Sequence, residues 1–384
     1  MKKQLSLFIM IDAYGWEIQS RWPILCNTAP EGRKLESVFG YSSTCVPSIL
    51  SGRWPDEHRN WCYFVYDPKG SPFKKLGWLK WLPKAITSRR RVRRLLTKSF
   101  QSYLGFKGYF DLYNIPFQYI SQFDFTEKKS PLKPGGMNRG SNIADLLQSS
   151  KTPHFIGDPL NPEKETFQQA EERIMNESIE FAFIYWAGLD GLLHRVGNQS
   201  EEVPKQLAVY DEWIRHLVQT AEGHYEKVHL HVFSDHGMAN CTRHLDLMSK
   251  IDSLGLTFCE DYAAVFDSTM ARFWFFNQPA RESIVNMLES IPEGRILPDD
   301  ELKKMRTFFE DRYFGEIIFL VQEGVLIVPS HMGERPITAM HGYHPQDEQS
   351  FATLLTNRKD LPFEPKCIVD IYRLMEEEVR SLRH

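Results

Sequence analysis

Several short patterns in this 384-residue chain hold residue types that bind divalent cations or activate hydroxyls. Residues 234–238 read Ser-Asp-His-Gly-Met directly after the apolar run Leu230, Val232, Phe233. Asp235 and His236 together offer one hard oxygen and one nitrogen ligand, a set that suits zinc. Asp190 and His194, four apart in Asp-Gly-Leu-Leu-His, converge on one ion if they lie on a turn entering a helix. Asp12 ends the run at residues 5–11, and His341 opens a late His-Gly-Tyr. Ser42, Ser43 and Thr44 crowd the start of a short helix. A hydroxyl there meets a dipole and free N–H groups that favour phosphate. Each pattern also has an ordinary reading: Asp and Ser cap helices and turns, and a loop His is common.

The elements that must position these residues follow from periodicity. Residues 5–11, 181–187 and 230–233 are short, nearly continuous apolar runs, which predicts buried strands. Each ends in one of the polar patterns, and ligands of open α/β sheets bind outside the carboxyl ends of strands. Residues 201–221 form an amphipathic helix between two of these runs, a strand-helix-strand unit of the parallel type. Later come a strand at 272–276, a helix at 282–290, and a hairpin of 316–321 with 325–329 about Glu323-Gly324. A strand at 351–355 and a helix at 368–382 close the chain. The expected fold is α/β: one catalytic domain over 1–384, with a mostly parallel central sheet flanked by helices. Residues 60–140 form an inserted cap, and 260–335 a small α+β excursion.

The cap is the compositional outlier. Residues 68–110 carry twelve Lys or Arg and no Asp or Glu, although the whole chain has a formal charge of −4. Trp78, Leu79, Trp81, Leu82, Leu95 and Leu96 are interleaved with these charges. Such a stretch is either a solvated basic face or a helix lying on an anionic membrane surface. No recognised motif supports specific nucleic-acid binding. The six cysteines are scattered without a C-x-x-C pair, so zinc fingers and a dense disulfide framework are not expected. The N-terminal apolar run is too short for an export signal and ends in Asp12. A cytoplasmic protein, peripheral at the inner face of the membrane, is expected.

Taken in order, the patterns resemble the alkaline phosphatase superfamily, most closely its nucleotide pyrophosphatase/phosphodiesterase (type I phosphodiesterase) branch. That branch carries an Asp after its first strand, a nucleophile further on, an Asp-x-x-x-His, an S-D-H-G-M and a late H-G-Y. The resemblance implies two divalent metal ions, most simply zinc. Asp190, His194 and His341 would hold one; Asp12, Asp235 and His236 the other, with the oxygen of Ser42 reaching it. Paired metals of this kind sit roughly 4 Å apart and clamp an in-line displacement.

The chain departs from the branch at the nucleophile, usually a Thr with Pro two residues on. Here Cys45 holds that place relative to Pro47, a spacing also similar to sulfatases, but Ile49 stands where a sulfatase has Arg. Counting back without gaps from residues 51–58 (S-G-R-W-P-D-E-H), similar to the branch's T-G-x-x-P-x-x-H, places the nucleophile at Ser42, with Thr44 the alternative and Cys45 third. The implied activity is hydrolysis of a phosphodiester or nucleotide pyrophosphate through a covalent phospho-Ser/Thr intermediate. The alternatives are a phosphotransferase, phosphomutase or sulfatase acting on a cell-surface polymer or lipid-linked precursor. A catalytically dead binding module is disfavoured, because every ligand type is present. Expected partners are a nucleotide-like small molecule and, through the cap, an anionic membrane surface.

Overall fold

The computed structural model describes residues 2–81 and 90–383. Its centre is a six-stranded sheet of β1 (Lys2–Ile11), β2 (Glu31–Leu35), β3 (His154–Ile156), β4 (Phe181–Trp186), β5 (Tyr225–Phe233) and β6 (Ala352–Thr356), in spatial order β2-β6-β5-β1-β4-β3. The β1, β3, β4 and β5 neighbours pair in parallel, and β6 runs antiparallel to both β5 and β2. The expected mostly parallel, helix-flanked sheet is therefore present.

Side chains alternate across β1. Leu5, Leu7, Ile9 and Ile11 pack under α3 (Glu202–Glu222), which buries Leu207, Tyr210, Ile214 and Leu217. Phe8 and Met10 face the other way, onto α1 (Ser42–Ser51) and α4 (Asp370–Ser381). Burial of each such Leu, Ile or Phe stabilises the sheet by roughly 1.5–3 kcal/mol. The sheet is thus pinned from both faces, and its carboxyl-end loops are carried on a stiff platform. No helix among the described residues is long and apolar enough to cross a membrane.

A second, antiparallel sheet joins Tyr262–Phe266, Met270–Phe275, Ile317–Val321 and Gly294–Ile296, in that spatial order. The cap contributes the strand pair Phe64–Tyr66 with Phe123–Phe125, a 3₁₀ segment Pro72–Trp81 and the helix Arg90–Leu104. Cap and second sheet share one aromatic core, in which Trp61, Phe64, Phe73 and Phe125 meet Phe266, Phe273, Phe309 and Phe314. Leu82, Lys84 and Arg89 of the basic stretch lie outside the described residues.

The expected hairpin about Glu323-Gly324 does not form. Ile317–Val321 pairs with Met270–Phe275 and Gly294–Ile296, whereas Val325–Ile327 leaves to pair in parallel with Arg243–Leu245. Gly324, at φ +81°, turns the chain, and its carbonyl accepts from the N–H groups of Thr242 and Arg243. Two adjacent apolar runs about a Glu-Gly signal a turn, but not which strands the runs join.

Candidate active site

Three strand ends converge. Asp12 follows β1, and its N–H donates to Trp186 O on β4 at 2.9 Å. Asp235 follows β5; its Oδ1 accepts from the N–H groups of Ala13 at 3.2 Å and His236 at 3.1 Å, tying one strand end to the other. The two loops pass with no room between them: a Cβ on Gly15 would lie 2.4 Å from Gly237 Cα, and one on Gly237 would lie 2.2 Å from Gln349 O. Asp190 and His194 sit one turn apart on α2 (Gly188–Val196), which begins directly after β4. His341 comes from the loop after the short strand Ala339–Met340.

Second partners fix the imidazoles. His194 Nδ1 lies 2.8 Å from Ala339 O, and His236 Nδ1 2.9 Å from Gly237 O. Each carbonyl accepts a hydrogen bond from Nδ1–H, which leaves Nε2 as the ring atom aimed at the carboxylates. His194 Nε2 then faces Asp190 Oδ1 at 3.2 Å, with His341 Nε2 at 3.5 Å from the same oxygen. His236 Nε2 faces Asp235 Oδ2 at 3.1 Å and Asp12 Oδ1 at 3.6 Å. The ligand atoms fall into two groups, Asp190/His194/His341 and Asp12/Asp235/His236, each within 4.8 Å of one another. The rings of His236 and His341 stack at 3.8 Å and join the groups. The structure thus brings together all six side chains named from the sequence.

These residues fit a pair of divalent cations. Asp12 Oδ1, Asp190 Oδ1 and Asp235 Oδ2 are buried and have no hydrogen-bond partner apart from the facing imidazoles. Three buried carboxylate oxygens left to one another and to imidazoles cost folding energy unless a cation compensates them. Burial, then the charges of Asp235 and Asp190, push the Asp12 carboxyl well above its usual range. Burial opposes charge on His236, but Asp235 overrides it and holds the imidazole at about 10. Burial drives His341 well below the usual range, aided by His236 and His194, so it stays neutral and able to coordinate.

The three nucleophile candidates separate clearly. Ser42, the first residue of α1, points its Oγ at His236 Nε2, 3.0 Å away, and lines the cavity above the two groups. Thr44 is fully buried with its Oγ1 unpartnered, and is turned towards Gly40, where an added Cβ would lie 2.5 Å from that oxygen. Cys45 is buried with its Sγ 3.6 Å from Ser37 Oγ, and burial raises its thiol well above the usual range. A thiol held neutral and out of reach is a poor nucleophile.

The cavity, about 820 Å³, has Asp12, Ser42, Asp190, His194 and His341 in its wall. The cap adds Tyr63, Tyr109, Tyr113, Lys107 and Glu127. Sequence reasoning missed these, and it missed Tyr185, whose hydroxyl donates to Asp12 Oδ2 at 2.5 Å. Tyr185 had a signal: it is the one hydroxyl in the strand F-A-F-I-Y-W, in register with Met10 beside Asp12. The cap residues had none, because their convergence depends on the shared aromatic core.

A family model described as type I phosphodiesterase / nucleotide pyrophosphatase matches residues 7–344. No curated protein matches the chain. Among solved structures, murine ectonucleotide pyrophosphatase/phosphodiesterase 5 superposes with a TM-score of 0.69 at 15% identity, over 98% of this chain and 95% of that one. The human counterpart gives 0.70 at 13% identity over the same shares. An inactive variant of the murine protein, in complex with AMP, gives 0.66 at 15% identity over 98% and 95%. At these identities the likeness is one of fold.

Proposed function

Because the chain belongs to the type I phosphodiesterase/nucleotide pyrophosphatase family and is a hydrolase of that class, we propose that Ser42 attacks a phosphodiester or nucleotide pyrophosphate. Asp190, His194 and His341 hold one divalent ion, and Asp12, Asp235 and His236 the other; the mixed oxygen and nitrogen donors favour zinc. When bound, such a pair supplies Lewis-acid stabilisation of charge on the attacking and leaving oxygens. The observation that carries this reading is the set of three buried carboxylate oxygens partnered by nothing but imidazoles, one of which, His236, also faces the Ser42 hydroxyl.

Ser42 enters α1 ahead of its first intrahelical bonds, in which the N–H groups of Thr44 and Cys45 both donate to Tyr41 O. The N–H groups of Ser42 and Ser43 are therefore free of the helix ladder and able to donate to a phosphoryl oxygen. The Ser42 hydroxyl gives its proton to solvent as the Oγ–P bond forms and the P–O bond to the leaving group breaks, and water later opens the serine ester and returns a proton to Oγ. Tyr185 holds Asp12 in place through Oδ2 and leaves Oδ1 free. The aromatic wall and Lys107 suit a ring-bearing anion, in keeping with the AMP held by the murine relative.

Acid-quenched mass spectrometry during turnover of bis-p-nitrophenyl phosphate tests the reading. Phosphate is expected on Ser42. Ser42→Ala should abolish turnover while the metal content stays, and Thr44→Ala should remain active. Phosphate on Thr44 with Ser42 unmodified would move the reactive oxygen two residues along and overturn the assignment.

A further inference from the structure

The helix Arg90–Leu104 has two faces that ask for different surroundings. Phe100 and Thr97 are buried, with Leu96 and Leu104 half-buried against the aromatic core. Arg93 also turns inward: its guanidinium donates to Ile115 O at 3.2 Å and sits over the Phe117 ring at 4.6 Å. Arg91, Arg94, Leu95, Lys98 and Ser102 share the opposite, exposed face at helical spacing, with Tyr103 beside them. Leu95 is 68% exposed and Tyr103 63%. Arg91, Arg94 and Lys98 make no ion pair or side-chain hydrogen bond among the described residues. A single exposed Leu is ordinary on a protein surface, but here Leu95 and Tyr103 sit together among these unpaired cations on one helix face. The neighbouring 3₁₀ segment repeats the combination, with Trp78 54% exposed beside exposed Lys74 and Lys75.

We propose that this face of the cap docks the protein on an anionic lipid surface, the cations meeting headgroups while Leu95 and Tyr103 enter the acyl boundary. The charge fits: twelve cations and no acid occupy residues 68–110 of a chain that is negative overall. The apolar side chains separate lipid from nucleic acid, since a phosphate backbone gives Leu95 nothing to enter. The docked helix runs on through Phe106 into Lys107 and Tyr109, which line the cavity, so docking brings the mouth of the site to the surface. The inference rests on this face alone and stands whichever hydroxyl is the nucleophile.

Flotation of the full-length protein with vesicles provides the test. It should bind phosphatidylcholine vesicles containing phosphatidylglycerol, not phosphatidylcholine alone, and release as salt rises. R91E/R94E/K98E should lower partitioning by roughly a hundredfold or more, since each cation near the surface counts about equally. Leu95→Glu should lower it by about tenfold. Both variants should keep the circular dichroism spectrum and the turnover of soluble bis-p-nitrophenyl phosphate. No binding to anionic vesicles overturns the proposal. Equal, Leu95-insensitive binding to a single-stranded oligonucleotide overturns it in favour of a general polyanion face.

Discussion

Two clusters of buried carboxylate and imidazole share the central sheet, and they are finished differently. In one, Glu378 of α4 lies beside His229 and His231 of β5. Its Oε2 accepts from Gln4 at 2.9 Å, Ser6 at 2.9 Å and His229 at 2.7 Å, and its Oε1 from Arg358 at 2.6 Å. In the other, at the carboxyl ends of the strands, Asp12, Asp190 and Asp235 each keep one buried oxygen with no partner apart from the facing imidazoles. Residue types and burial are alike, so neither marks a working site. The difference lies in what is left unsatisfied: the first cluster is complete as protein, and the second keeps oxygens that a cation would satisfy.

The comparison breaks first if the second cluster proves structural. Asp235→Asn should reduce turnover by roughly a thousandfold or more. Any loss of stability in the chelated protein should stay well below that of Glu378→Gln, because the charge removed is repelled by Asp12 as well as attracted by His236. A large loss of stability with activity retained would place both clusters in the same class.

Glu378→Gln should do the reverse. It leaves Arg358 and two imidazoles without the negative charge and with one acceptor oxygen in place of two, and should cost about 3–5 kcal/mol by urea denaturation, with turnover per folded molecule unchanged. Burial alone would raise the Glu378 carboxyl, but the hydrogen bonds from His229 and His231 override it and hold it well below its usual range. Its contribution is present above the ordinary carboxylate range and disappears as pH falls towards the folded value. The deficit of the variant should therefore shrink in acid. A deficit independent of pH would mean that packing, not charge, is what Glu378 supplies.

Glu127 offers the smallest and sharpest case, a buried cavity carboxyl between the two extremes. It accepts from the Tyr109 N–H at 3.2 Å, and burial pushes it up to about 8. Between the ordinary value and that one, the folded state keeps a proton that the unfolded state releases, so stability falls as pH rises through this window. Glu127→Gln should remove that slope, gaining on the parent by roughly 1–3 kcal/mol from pH 5 to pH 8. An equal difference at both values would mean that the carboxyl is already ionised in the fold.

What could be read from the sequence follows a physical line. Asp12, Asp190, Asp235 and His236 were legible because each lies within four residues of the end of a buried strand, and His194 because helical spacing placed it beside Asp190. Buried runs and strand ends are local properties, visible in a few residues. His341 was reached only through the order of motifs, since nothing local distinguishes its loop. The partner of Val325–Ile327, and the meeting of Tyr63, Tyr109, Tyr113 and Glu127 over the cavity, depend on contacts between distant segments. Tertiary packing decides those, and no period in the chain encodes them.

The spread of the ligands along the chain also sets an order in time. Asp12 leaves the ribosome first, and His341 appears only after all but one strand of the two sheets. The strand Ala352–Thr356, which wedges between Tyr225–Phe233 and Glu31–Leu35, comes later still. A nascent chain therefore shows solvent scattered acids and imidazoles long before it shows a paired site. A translation product halted before residue 341 would carry Asp12, Asp235 and His236 but lack one member of the Asp190, His194 and His341 group.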